Sequence, residues 1–258
     1  MKKTFLVCSL TGRLKDLIRL ITSLSEYVDW NIDVILQKYS MQEEAIVSCH
    51  LQKVFGQRFS LINTDEMTGP HLARCRVLDM HTSDVWCILD DDMFAVTGYT
   101  FYDKMADIIS SRSEIGILSS NWRKTNGMLE KVSLQEKLQK QNIVYTGGGM
   151  MIRQDVADII KGIPRVQYLF DNPLWSIYSY VNGYDNFRYL GSAAVHEICT
   201  KGGRRKWLKE GDQKKMLPPS IWIRTRKGKE QNGFNEYLIC DSSDITEEAH
   251  RMHKVNKK

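Results

Sequence analysis

Val85 to Leu89 is a run of five apolar residues that ends directly in Asp90, Asp91 and Asp92. A run this short and continuous suits a central strand of a parallel sheet, covered on both faces. The acids set the harder condition. Three adjacent carboxylates repel one another, and dehydrating one without a partner costs several kcal/mol, roughly 2 to 5. The strand must therefore end where water, a metal ion or basic side chains can reach it.

The segments ahead of that strand alternate in period. Thr4 to Cys8 is a short β-prone run. After a turn at Ser9 to Arg13, the residues Leu14, Leu17, Ile18, Leu20, Ile21 and Leu24 recur at helical spacing through "LKDLIRLITSLSEYV". "IDVIL" and "MQEEAIVSCHLQKVFG" repeat the strand and helix pattern, and "FSLINT" and "GPHLARCRVLDMH" repeat it again. Gly69 and Pro70 stand where a helix starts, and the polar and apolar positions after them predict a cleanly two-sided helix. Three such units leading to a fourth strand predict an α/β fold: an open, mostly parallel central sheet with right-handed crossovers and helices on both faces. Such sheets bind ligands beyond the carboxyl ends of their strands, where the three acids stand. Crowded hard oxygen donors suit Mg2+ or Mn2+, which keep coordination positions for water and substrate phosphates. A solvated acidic turn or a helix N-cap would account for the same residues.

At 258 residues and 29.9 kDa the chain can bury a core without disulfide or metal staples. Its six cysteines are scattered, with no Cys-x-x-Cys spacing, which argues against a zinc knuckle and predicts free thiols in a reducing compartment. No stretch approaches the roughly 20 apolar residues of a membrane span, and "MKKTFLVCSLTGR" has too short an apolar core for a signal peptide. The expected location is the cytoplasm.

"GPHLARCRVLDMHTSDVWCILDDDM" resembles the stretch of GT-A fold glycosyltransferases, above all the inverting family 2, in which a Gly, an Ala-Arg-Asn helix and a strand ending in Asp-x-Asp follow one another. Ala73 and Arg74 match the Ala-Arg, with Cys75 in place of Asn. "TGGGMMIRQDV" resembles that family's Gly-rich strand with a following Arg, and "FDNPLWSIYSYVNGYDNFRYLGSAAVHE" resembles the segment from its Glu-Asp pair through Gly-Tyr to a distal His. Ordered motifs of this kind, spread over roughly residues 4 to 200, are far more specific than one.

The resemblance implies transfer of a sugar from a nucleotide-sugar donor, a UDP-sugar being favoured, to an acceptor hydroxyl with the help of Mn2+ or Mg2+. It implies a GT-A domain over residues 1–200, with a nucleotide-sugar-binding half at 1–95 and an acceptor half at 96–200, then a basic extension over 201–258. Asp92 is implied to bind the metal, Asp90 the ribose or a metal-bound water, and His196 the metal or the diphosphate from the far side. Ser9, Thr11, Arg13, Gln37, Arg74, Asp90 and Asp91 are placed at the nucleotide sugar, with Arg74 bracing the first Asp or a phosphate. Gly147, Gly148, Gly149 and Asn172 are placed in the sugar and acceptor pocket, and Asp171 is the implied general base. A departing diphosphate needs positive charge and the attacking hydroxyl needs a proton acceptor, so the residue types fit the reaction. Each also has a plainer reading. His196 can be a packed core histidine, Arg74 a surface arginine, the glycines a connector, and Asp171 an N-cap ahead of Pro173.

Two departures bear on the details. Where the family commonly ends its second strand in an Asp pair that reads the nucleotide base, this chain has Gln37 and Lys38. The Glu-Asp pair reads Asp171-Asn172, and without a gap Asn172, which cannot act as a base, takes the catalytic position. A one-residue shift near Pro173 restores Asp171, and inversion follows only with that shift.

From Lys201 to Glu230 the chain carries eleven Lys or Arg against three acids, with Trp207 and Trp222 among them, while its net charge is only +5. Arg204, Arg205, Lys206 and Trp207 form the densest part. Basic residues with aromatics suit DNA, with phosphates on the cations and an extruded base on the ring. They equally suit an anionic membrane surface presenting a lipid-linked saccharide. The size and the "LDDDM" ending are also similar to bacteriophage GT-A enzymes that glycosylate hydroxymethylated pyrimidines in DNA, which makes such a base the expected acceptor and a saccharide the alternative. A sugar nucleotidyltransferase shares the sheet and the acidic site, but "SLTGRLK" is a faint version of its Gly-rich, basic first loop.

Overall fold

Burial on both faces turns the first apolar run into β1 (Lys3–Leu10), from which Phe5 and Val7 enter one core and Leu6 and Cys8 the other. The computed structural model describes residues 1–95, 100–124, 136–141, 149–163, 171–196, 226–227, 237–238 and 247–258; at 121–124, 171–174, 193–196, 226–227, 237–238 and 248 it describes the backbone alone. After β1 come α1 (Leu14–Ser23), β2 (Trp30–Gln37), α2 (Met41–Phe55), β3 (Phe59–Thr64), α3 (Pro70–Met80) and β4 (Val85–Asp90). Ser40 opens α2 with a capping box: its hydroxyl accepts from the Glu43 backbone N–H, and the Glu43 carboxylate accepts from the Ser40 backbone N–H. The remaining elements are β5 (Met93–Ala95), α4 (Phe101–Ser111), β6 (Ile115–Lys124), β7 (Leu138–Gln141), β8 (Met150–Arg153), α5 (Gln154–Lys161), α6 (Asp171–Val181), β9 (Asp185–His196), β10 (Arg226–Lys227), β11 (Tyr237–Leu238) and α7 (Glu247–Asn256).

The sheet runs β3-β2-β1-β4-β8-β6-β9-β5, with β7 also paired to β9. The parallel part expected from the repeated units is present as β3, β2, β1 and β4. Beyond β4 the sheet is mixed: β8 runs against both β4 and β6, and β5 and β7 run against β9. Helices cover both faces. Residues of α1, α2 and α4 pack with Phe5, Trp30 and Leu89 on one side, while α3, α5 and α6 pack with Leu6, Trp86 and Ile152 on the other.

Helix α3 departs from the two-sided pattern. It buries His71 and Arg74 completely, together with Ala73, Cys75, Val77 and Leu78. Both polar groups have partners, as burial requires. His71 Nδ1 accepts a hydrogen bond from Trp175 Nε1 at 2.9 Å, which pins α6 to α3, and Arg74 reaches the end of β4.

The last helix returns to the domain instead of leaving it. In α7, His253 stacks on Tyr180 at 4.0 Å and shares a hydrogen bond with the Tyr180 carbonyl, and His250 meets the Tyr180 hydroxyl at 2.9 Å. Asn256 Nδ2 donates to the Val181 carbonyl and the Lys258 amide to the Gly183 carbonyl. Gly183 has φ +93, and a Cβ there would collide with the Asn256 carbonyl. Gly183→Ala should therefore lower stability by roughly 1 to 3 kcal/mol, read as a lower denaturation midpoint, through both the left-handed backbone and the displaced helix.

Candidate active site

Register brings the acids to the mouth of the sheet. Cys8 in β1 lies beside Asp90 in β4, so the turn after β1 and the Asp90–Asp92 segment leave the sheet side by side. Gly149, at φ +95 just ahead of β8, sits against the same strand end; a Cβ there would press on Leu89 and Tyr102 at 3.0 to 3.1 Å. Met93 in β5 is in register with His196 in β9, which sets the last residue of β9 beside the acidic segment.

Two arginines pair with the three carboxylates. Arg74 Nη2 donates to Asp90 Oδ1 at 2.6 Å and to the Leu89 carbonyl at 3.2 Å. Its side chain is 2% exposed, while that of Asp90 is 35% exposed. From the opposite side, Arg13 places Nη1 3.0 Å from Asp91 Oδ1 and Nη2 2.7 Å from Asp92 Oδ2. These are charge-assisted contacts in a partly dehydrated place, where each is stronger than a surface pair.

The middle acid points inward. Ser9 Oγ donates to Asp91 Oδ2 at 2.6 Å, leaving the Tyr39 hydroxyl to donate to Ser9 at 2.8 Å. Burial pushes the Asp91 carboxyl up to about 7, although Arg13 and Ser9 pull it down. Ser9 and Asp91, expected at the nucleotide sugar, thus direct their polar atoms into the protein. Gln37 does the same. It is fully buried, its Oε1 accepts from the amides of Thr68 (2.7 Å) and Gly69 (3.1 Å), and its Nε2 donates to Cys8 Sγ at 3.0 Å. Its work is to hold the loop that launches α3, because a buried amide side chain must spend its donors and acceptors internally.

The other candidates divide. Thr11 is exposed in the turn after β1, its amide donating to the Gln37 carbonyl at 2.9 Å. Arg13, Arg74, Asp90 and Asp92 gather at the strand end. Asp171 and Asn172 open α6, four and three residues before the Trp175 that pins it to α3; their side chains, and that of His196, lie outside the described residues. So do Gly147, Gly148, Arg204, Arg205, Lys206 and Trp207. Tyr39 and the His71–Trp175 pair escaped the sequence reading, since no local spacing links residues 30 and 104 positions apart.

Among the described residues, no three His, Cys, Asp or Glu side chains converge as a metal site. The donors at hand are the carboxylates of Asp90 and Asp92, each already sharing an oxygen with a guanidinium. Hard oxygens at a rigid strand end fit Mn2+ or Mg2+, which take few protein ligands and fill the rest with water and phosphate.

No protein-family model and no curated protein matches the chain. Solved structures do. TarS 1-349 of S. aureus in complex with UDP-GlcNAc matches with TM-score 0.59 and 15% identity, over 79% of this chain and 60% of that one. The mannosyltransferase PcManGT from Pyrobaculum calidifontis, in complex with GDP-Man and Mn2+, matches with TM-score 0.59 and 13% identity, over 78% of this chain and 58% of that one. GalNAc-T7 with UDP, GalNAc and Mn2+ matches with TM-score 0.63 and 11% identity, over 80% and 45%. The fold is therefore the GT-A fold of glycosyltransferases. The chain spans 45 to 60% of the length of these matched chains. Among its described residues, no helix is long and apolar enough to cross a membrane.

The raised Asp91 carboxyl has a measurable sign. A folded state that binds a proton more tightly than the unfolded chain is stabilised below the ordinary carboxylate range, and that contribution is lost as pH rises through about 7. Asp91→Asn should flatten the fall in the urea midpoint between about pH 4 and about pH 7.5 relative to the parent chain.

Proposed function

We propose that the protein is a glycosyltransferase that moves a sugar from a nucleotide-sugar donor to an acceptor hydroxyl, with Mn2+ or Mg2+ held by Asp90 and Asp92. The observation that carries this reading is the pair of carboxylates, braced by Arg74 and Arg13, at the carboxyl end of the parallel strands. The nucleotides bound to TarS, PcManGT and GalNAc-T7 support it, as does the Mn2+ of PcManGT and GalNAc-T7. When bound, the metal supplies positive charge against the departing nucleoside diphosphate. Arg74 keeps Asp90 aimed into the cleft, and Asp171 at the start of α6 takes the proton of the acceptor hydroxyl. His196 closes the site from the β9 side. Because Gln37 is buried, recognition of the base falls to the exposed turn around Thr11, and both UDP- and GDP-sugars belong in the donor panel.

For the acceptor, the excess of eleven basic residues over three acids in 201–230 supports DNA, with a hydroxymethylated pyrimidine as the attacking base. The same residues form the basic extension of the domain division proposed at residue 200, although α7 then packs back on α6. Duplex DNA containing 5-hydroxymethylpyrimidines, incubated with nucleotide sugar and Mn2+, should yield glycosylated nucleosides by mass spectrometry. Transfer to a free or lipid-linked saccharide instead would replace the DNA reading and leave the donor chemistry standing.

Asp92→Ala or excess chelator should abolish transfer while the fold survives, because Arg13 keeps Asp91 and Asp16 as partners when Asp92 is removed. Full activity in either case rejects the metal-assisted mechanism. Asp171→Asn should cut turnover roughly 100-fold with donor affinity nearly unchanged. A larger loss from Asn172→Ala would move the catalytic position by one residue.

A further inference from the structure

Arg13 stands where a metal ion would compete with it. Its guanidinium spans two neighbouring carboxylates, 3.0 Å from Asp91 and 2.7 Å from Asp92, and its Nε lies 3.8 Å from Asp16 in the first turn of α1. The Asp92 side chain is only 9% exposed under this contact, whereas the Arg13 side chain keeps 19% of its own surface. A guanidinium bridged onto Asp92 Oδ2 at 2.7 Å occupies the carboxylate oxygen that a divalent cation would need. It is also the best-shaped side chain for a diphosphate, whose paired oxygens accept its planar fork.

We infer that Arg13 makes metal binding conditional on the nucleoside diphosphate, an inference that rests on the metal reading of Asp90 and Asp92. Without donor, Arg13 covers Asp92 and holds the site closed to divalent cations. The diphosphate offers the guanidinium a more accessible anion, and a short swing takes it off Asp92. Asp16 is close enough to hold Nε in the outward position, and Ser9 continues to donate to Asp91. Donor and metal then bind cooperatively, and by reciprocity each strengthens the other to the same degree.

The experiment measures Mn2+ affinity of the full chain from the electron paramagnetic resonance signal of free Mn2+, with and without UDP or GDP, for the parent, Arg13→Lys and Arg13→Gln. Lysine keeps the charge but has no planar fork with which to bridge two carboxylates. The expected result is nucleotide-free Mn2+ affinity about tenfold higher in Arg13→Lys and at least as high in Arg13→Gln, with a correspondingly smaller gain on adding nucleotide. A rise in Arg13→Gln alone would mean that net charge matters and bridging does not, which overturns the inference. Measurable and equal affinity in all three proteins overturns it as well. No Mn2+ binding by any of them, with either nucleotide, would remove the metal site itself and with it the metal-dependent function proposed above. Should Arg13→Gln fail to melt cooperatively, the charge-conserving Arg13→Lys decides between these outcomes.

Discussion

Charge balance at the end of β4 governs the layout around it. Three acids in succession repel, and the chain meets that with two arginines drawn from opposite faces of the sheet: Arg74 from α3 and Arg13 from the turn ahead of α1. Each acid receives a different degree of hydration. Asp90 stays partly open, Asp92 lies under the guanidinium, and Asp91 is buried far enough for its carboxyl to be raised despite Arg13. A single solvated loop could not separate the three in this way, because in water their environments would be alike.

The surrounding structure serves to hold Arg74 still. Gln37 locks the loop before α3 through two backbone amides, which sets the start of the helix that carries Arg74. His71 and Trp175 then tie α3 to α6, so the helix that starts with Asp171 is fixed against the helix that braces Asp90. At the far end of α6, Tyr180 and Val181 are covered by α7, which closes a chain of contacts from the C-terminal helix to the acids at the end of β4. Gln37, His71, Trp175 and His253 are buried, and a buried polar contact is costly to break, which makes the path stiff.

Much of the first half was legible in the order of residues. The three strand and helix units have the limits read from their periodicity within a few residues, because a buried strand and a one-sided helix each impose a local repeat. Helix α3 was the exception. Its sequence looks two-sided, yet it is enclosed on several sides and buries an arginine and a histidine that local hydropathy assigns to solvent. The mixed second half of the sheet was not legible either, since strand direction depends on where the connections lead and not on the alternation within each strand.

The sequence by itself determined that a buried strand ends in three acids and that this end faces the ligand side of an α/β sheet, since both follow from short-range pattern and charge repulsion. Only the tertiary structure decided that Arg13 bridges Asp91 and Asp92 and which polar residues look inward. Ser9 meets Asp91 across 82 positions, and Trp175 meets His71 across 104. Such pairs exist because packing brings distant backbone together, and once water is excluded there, each polar atom must find its partner among whatever the fold has delivered.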